Sequence, residues 1–251
     1  MKESLHGSDG PEAAGEEVLA HIKTLNEHGR FVLFAPNHLT PQNGLSKVFG
    51  IPDDYAALKK VLDQHNVSST VIAKGDTNIA FGPENSALHG IKKTIYQVHQ
   101  KIFSHLMQKA TGGITVSINY KEPAHNVAKN VGAIRKIIDT LGTKDNLVMY
   151  PLGNWRNSGE DEFDPETHLD GGNAFVDKKK EFERWRACIK DTFIRLAQKT
   201  GAPIVPVYVE YTDNKWVVRF GGCIDAGEST VEVAKKYLVA MQSLKNAGKE
   251  S

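Results

Sequence analysis

Phe31-Val32-Leu33-Phe34-Ala35-Pro36-Asn37-His38 is an unbroken apolar run that stops at a proline and then presents two polar residues. A run this short predicts a strand over residues 31–35 buried on both faces, because a sheet with one face in water would show alternation. His28-Gly29 leads into it and Pro36 ends it, so Asn37 and His38 are delivered to the strand's carboxyl-terminal edge.

Working outward, the pattern alternates. Before the run, Val18, Leu19, Ile22 and Leu25 share one face of a predicted helix over residues 16–26. After it, Tyr55, Leu58, Val61 and Leu62 mark a helix over 53–64, and a β-rich run over 69–73 ends in Lys74-Gly75-Asp76. Ile91, Ile95, Val98, Ile102 and Leu106 predict a long amphipathic helix over 86–109, closed by Gly112-Gly113. A strand over 114–118, a helix over 127–141 and a strand over 147–150 follow. A polar loop over 152–177 then leads to a basic helix over 178–199 and a strand over 204–210. Residues 216–220 pair with that strand as a hairpin, and a helix over 230–244 closes the chain. Strands alternating with helices predict an α/β fold: a single domain over 16–251 with a mixed, mostly parallel sheet flanked by helices. Residues 1–15 lack periodicity and read as a flexible leader.

The composition agrees with one such domain. The 251 residues are 40% hydrophobic and 24% charged, which excludes disorder and fibrous classes. Lys and Arg total 31 against 30 Asp and Glu, so no net field draws the chain to nucleic acid. Cys188 and Cys223 are too few for a disulfide scaffold, and a reducing, cytoplasmic setting is expected. The amino terminus has no apolar stretch of signal-peptide kind, and no run approaches the roughly 18 residues of a membrane span, so any membrane contact is expected to be peripheral.

Chemistry has few obvious carriers. There is no G-x-S-x-G elbow, Walker loop, G-x-G-x-x-G after a strand, or H-E-x-x-H. The strongest candidate is Asn37-His38 after the buried strand, with Asn43 five positions beyond the histidine; a loop histidine there serves as a base or simply bonds to backbone. Further segments follow in order: Ala73-Lys74, residues 113–119, Tyr150-Pro151-Leu152-Gly153-Asn154-Trp155-Arg156, and Ile204-Val205-Pro206-Val207. In order and approximate spacing, over roughly residues 30–210, these resemble the blocks of the glycerolphosphate and lysophosphatidic acid acyltransferase superfamily: N-H-x4-D, a lysine-bearing strand end, G-x-x-F-x-x-R, F-P-E-G-T-R and an apolar V/I-P block.

The resemblance implies a glycerolphosphate-acyltransferase-like fold and an acyl transfer from acyl-CoA or acyl carrier protein, with no metal and no cofactor beyond that donor substrate. It implies His38 as general base, with Asn43 where the family has its aspartate. For substrate binding it implies Asn37, Lys74, Gly113, Asn119, Tyr150, Pro151, Gly153, Asn154, Arg156 and Pro206. The glycine-bearing turn after Pro151 is suited to supply backbone N–H groups to the tetrahedral oxyanion. Asn43, Asn119 and Leu152 depart from the family's aspartate, arginine and glutamate. Arg156 matches the family arginine only in a loop one residue longer, since Trp155 holds the strict position. With Asn119 in one place and the displaced Arg156 in the other, bidentate capture of an acceptor phosphate is weakened, which points to a hydroxyl or amine acceptor. Two alternatives stay open: a non-catalytic acyl- or lipid-binding homologue with a degenerate site, and a hydrolase using water as acceptor. The basic helix offers a surface for anionic lipid or acyl carrier protein, or is a solvated face. The acidic run from Glu160 to Asp170 lacks EF-hand spacing and reads as a solvated loop.

Overall fold

The computed structural model describes residues 12–37, 53–74, 113–116, 123–151, 192–213 and 215–247. They form a seven-stranded sheet of β1 (Glu12–Ala14), β2 (Leu33–Pro36), β3 (Ser69–Lys74), β4 (Ile114–Val116), β5 (Asn146–Val148), β6 (Ile204–Thr212) and β7 (Lys215–Phe220). The spatial order is β1-β7-β6-β2-β5-β3-β4. Every neighbouring pair is parallel except the β6–β7 hairpin. Five helices are seen among the described residues: α1 (Glu16–Glu27), α2 (Asp53–Gln64), α3 (Pro123–Thr143), α4 (Thr192–Thr200) and α5 (Thr230–Ala247).

The run that decides the fold behaves as two interleaved stripes. Leu33 and Ala35 pack with Ile137 and Leu141 of α3, Phe193 and Ile194 of α4, and Tyr237 and Met241 of α5. Val32 and Phe34 pack on the other side with Leu19 and Ile22 of α1 and Leu58, Val61 and Leu62 of α2. Period-2 alternation therefore buries both faces, and burying a Phe34 or Leu33 side chain contributes about 2 kcal/mol. Tyr237 adds a polar tie, donating its hydroxyl to the Ala35 carbonyl at 3.0 Å. Full burial pushes that phenol well above its ordinary range, so it remains a donor.

Crossover direction follows from the same two faces. The β2–α2–β3 connection moves one way along the sheet and runs over the α1/α2 face. The α3 and α4 connections into β5 and β6 move the other way over the opposite face. Right-handed crossovers require this division.

Several boundaries differ from the sequence reading. The leader does not stay loose to residue 15: Glu12–Ala14 pair in parallel with β7, Glu12 opposite Val217, and Lys215 donates to Glu12 at 2.5 Å. A three-residue edge strand is too short to show periodicity, and its partner lies some 200 positions away. β2 starts at Leu33 rather than residue 31 and runs to Pro36, while β5 is Asn146–Val148 rather than 147–150. Of the basic helix, Thr192–Thr200 is seen as α4, and residues 178–191 lie outside the described residues, as do the predicted helix over 86–109 and the acidic run.

Two glycines set the ends of α1. Gly29, at φ +70°, takes the left-handed position after the helix, with the Arg30 N–H bonded to the Leu25 carbonyl at 2.9 Å. Gly15, at φ +91°, begins it, and a Cβ there would stand 2.7 Å from the Phe220 carbonyl oxygen. Gly15→Ala is therefore expected to cost about 2 kcal/mol or more from the left-handed backbone and the clash together. Thermal denaturation checks it; an unchanged midpoint would show that β1 contributes nothing to the folded sheet.

Among the described residues, no helix is long and apolar enough to cross a membrane.

Candidate functional site

The strand order places a topological switch point between β2 and β5. β2 and β5 are neighbours, yet the chain leaving β2 goes to the α2 face and the chain leaving β5 goes on toward α4 on the other face. In open α/β sheets such divergence at the carboxyl ends of adjacent strands is where ligands bind. Here the two ends carry Asn37, and Met149-Tyr150-Pro151.

Asn37 shows how the local sequence sends the chain out at this point. It is 2% exposed, and its backbone N–H bonds to the Val207 carbonyl at 3.2 Å. Its side-chain amide then copies the next peptide of a parallel ladder: Nδ2 donates to the Val209 carbonyl at 2.9 Å and Oδ1 accepts the Val209 N–H at 2.6 Å. β6 is thus satisfied beyond the end of β2, and the main chain is released after Asn37. An asparagine fits because it carries both a donor and an acceptor. Asn37 is in this respect a positioning residue.

Tyr150 closes the adjacent strand end. Its ring packs against the core of the α1/α2 face. Burial first, then the nearby charge of Asp54 and Tyr55 beyond it, push its hydroxyl well above the ordinary phenol range. Asp54 is 1% exposed in the first turn of α2, and its Oδ1 accepts the Tyr55 N–H at 2.7 Å. Because α2 descends from the end of β2 to the start of β3, this buried carboxyl lies on the carboxyl-edge side of the sheet, with Tyr150. Tyr55 itself is pushed up to about 12, by burial and then by Asp63 and Asp145. Pro151 is buried and is the last described residue of this segment.

The other candidate residues are spread differently. Lys74 ends β3 level with Val116 at the carboxyl edge, one strand beyond β5 and so about 5 Å farther along the sheet. Gly113 precedes β4 and therefore sits at the amino end of that strand, on the opposite edge from Lys74. Pro206 is buried within β6 opposite Ala35. Its missing N–H falls where the hairpin slips register: Val207 pairs with Phe220 but Ile204 bridges Ile224, and Gly221 donates to the Pro206 carbonyl at 2.9 Å. A proline is tolerated at such a bulge. His38, Asn43, Asn119, Gly153, Asn154 and Arg156 lie outside the described residues.

Two features escaped the sequence reading. Asp54 belongs to no motif, and only tertiary packing shows it buried. Arg219 and Glu210 meet at 2.7 Å, with their side chains 11% and 15% exposed, on β7 and β6. Neither lies in a motif, and their approach depends on hairpin register. A cavity of about 270 Å³ lined by Ala197, Gln198, Gly201, Asp225, Ala226 and Gly227 lies at the opposite, amino-terminal edge, away from the switch point.

No family model matches the sequence. A search of curated proteins finds no relative that matches it either.

Proposed function

We propose that this chain is a divergent acyltransferase of the glycerolphosphate-acyltransferase type, moving an acyl group from a thioester of coenzyme A or acyl carrier protein to a hydroxyl or amine. The observation that supports it is topological. Asn37 and Tyr150-Pro151, which belong to the two blocks that the motif resemblance assigns to the base and the carbonyl pocket, stand at the ends of adjacent parallel strands at the switch point of the sheet.

In this reading the His38 imidazole takes the acceptor's proton as its oxygen or nitrogen forms a bond to the thioester carbonyl carbon. Negative charge moves to the carbonyl oxygen, where backbone N–H groups of residues 152–154 are suited to receive it. The C–S bond then breaks and the thiolate leaves with the proton held by His38. Asn37 holds the base-bearing segment, and Tyr150, kept protonated by burial, anchors the pocket-bearing one. The donor substrate supplies the activated acyl group, so the reaction needs no metal.

Thiol release from a panel of acyl-CoA and acyl carrier protein thioesters, with and without pooled alcohols and amines, tests this directly. Release is expected to need an acceptor and to fall by about 10²–10⁴-fold in His38→Ala, the range of a lost general base. Release without acceptor would make the protein a hydrolase. Tight thioester binding with no release, unaffected by the substitution, would make it a non-catalytic acyl-binding homologue.

A further inference from the structure

Arg219 is an unusual cation for a sheet. Its side chain is 11% exposed and approaches Glu210 Oε1 with Nη1 at 2.7 Å, yet out of line for a hydrogen bond, so that buried Nη1 has no hydrogen-bond partner. Among the described residues the guanidinium makes no hydrogen bond and no second ion pair, and its remaining attraction is to Glu12, which is itself bonded to Lys215. A guanidinium has five N–H donors and stays charged, and leaving it dehydrated with donors unspent is costly. A bound oxyanion would relieve that cost.

Register gives the direction. Tyr208 pairs with Arg219 and Val217 with Glu210, so the ion pair is diagonal across the hairpin. Glu210 lies two residues nearer the hairpin tip, which rises past the end of β2 because Pro36 pairs with Val207 while β6 continues to Thr212. The carboxylate therefore draws the fork toward the carboxyl edge and from β7 toward β6, on the side facing β2. β7 is two strands from β2, about 10 Å. That separation is too great for a group attacking beside His38. It suits a phosphate that a long pantetheine arm holds away from the thioester.

We propose that Arg219, oriented by Glu210, binds the phosphate oxyanion on the pantetheine arm of the acyl donor, a group shared by coenzyme A and acyl carrier protein; the assignment rests on the acyl-thioester reading above. Arginine is suited to the task because its planar fork can contact a carboxylate and a phosphate together.

Calorimetric titration of the full chain with coenzyme A, with pantetheine, which lacks the phosphate, and with glycerol 3-phosphate tests it. Arg219→Gln is expected to weaken coenzyme A by about tenfold or more and to leave pantetheine unchanged, with Arg219→Lys between wild type and Gln. Glu210→Gln keeps an acceptor oxygen to orient the guanidinium and removes the competing negative charge, so it binds coenzyme A at least as tightly as wild type; this arm holds even if Arg219→Gln fails to fold. The assignment is overturned by a wild-type protein that does not bind coenzyme A, by equal weakening of coenzyme A and pantetheine, or by an unchanged coenzyme A affinity. It is also overturned if glycerol 3-phosphate alone responds, since the phosphate would then be the acceptor's. Turnover of an acyl-pantetheine keeps the two readings apart. A protein that uses it while coenzyme A ignores Arg219→Gln loses the Arg219 assignment alone; one that neither binds nor turns over any thioester loses both.

Discussion

Asn43→Asp raises the acceptor-dependent rate of thiol release by about 100-fold or more, with little change in KM for the thioester. The expectation follows from what a base needs while it holds a proton. An asparagine carbonyl accepts a hydrogen bond from one imidazole nitrogen, but it carries no charge to balance the imidazolium formed as the acceptor attacks. An amide is also indifferent to which end it turns toward the ring, so it can favour the wrong tautomer. In a serine-protease triad the corresponding change from aspartate costs about 10⁴ in kcat, which bounds the gain from reversing it. Because the charge is needed only in the transition state, the gain belongs in kcat. Single-turnover and steady-state thiol release measure it. A lower rate in Asn43→Asp would mean that His38 works without a family-type carboxylate, and attention would pass to Asp54, a buried acid on the same edge.

Asn146→Ala lowers stability by about 3 kcal/mol and the melting temperature by roughly 6–12 °C. Asn146 is fully buried at the start of β5, between β2 and β3. Its Oδ1 accepts the Val32 N–H at 2.8 Å, and its Nδ2 donates to the Ser68 carbonyl at 2.8 Å. Alanine leaves the buried Val32 N–H without an acceptor, which costs about 1–3 kcal/mol, and takes a second partner from the part-buried Ser68 carbonyl. The neighbouring Ser68 Oγ to Asp145 contact, at 2.6 Å, is exposed, so Ser68→Ala is expected to cost under about 1 kcal/mol. Denaturant titration of both variants is the check, with the slope unchanged if only the native state is affected. Equal losses for the two would sink the argument that the buried amide holds three strands together.

Asn146 and Asn37 solve one problem at opposite edges of the sheet. Each spends a side-chain amide as a substitute peptide where a strand begins or ends, so that neighbouring strands of unequal length keep their hydrogen bonds. In the sequence Asn146 reads as an ordinary polar residue beside an apolar run. Asn37 drew notice only through the histidine that follows it, and the readable part of its role was its place after β2. The glutamate–arginine pair was illegible for a related reason: Glu210 and Arg219 are nine positions apart, and a one-residue change of hairpin register would put them on opposite faces. Gly113 shows the converse. Its motif places it with Lys74 and Pro151, yet it begins a strand whereas they lie at the ends of theirs, and a strand separates its two ends in space.

Local pattern was enough to determine that this is an α/β chain. Residues 33–36 are apolar without interruption because both faces of β2 are covered, and helical periodicity around them is strong because each helix buries only one stripe. These are short-range properties, set by a side chain's solubility and its neighbours along the chain. Tertiary structure alone decided that β2 lies between β5 and β6, that Glu12–Ala14 completes the edge, and that Asp54 and Arg219 are buried. Strand order depends on which crossovers keep a right-handed path while covering both faces, and a charge is buried only where distant segments close over it. Those are free energies of contacts far apart in sequence, and no local window of residues contains them.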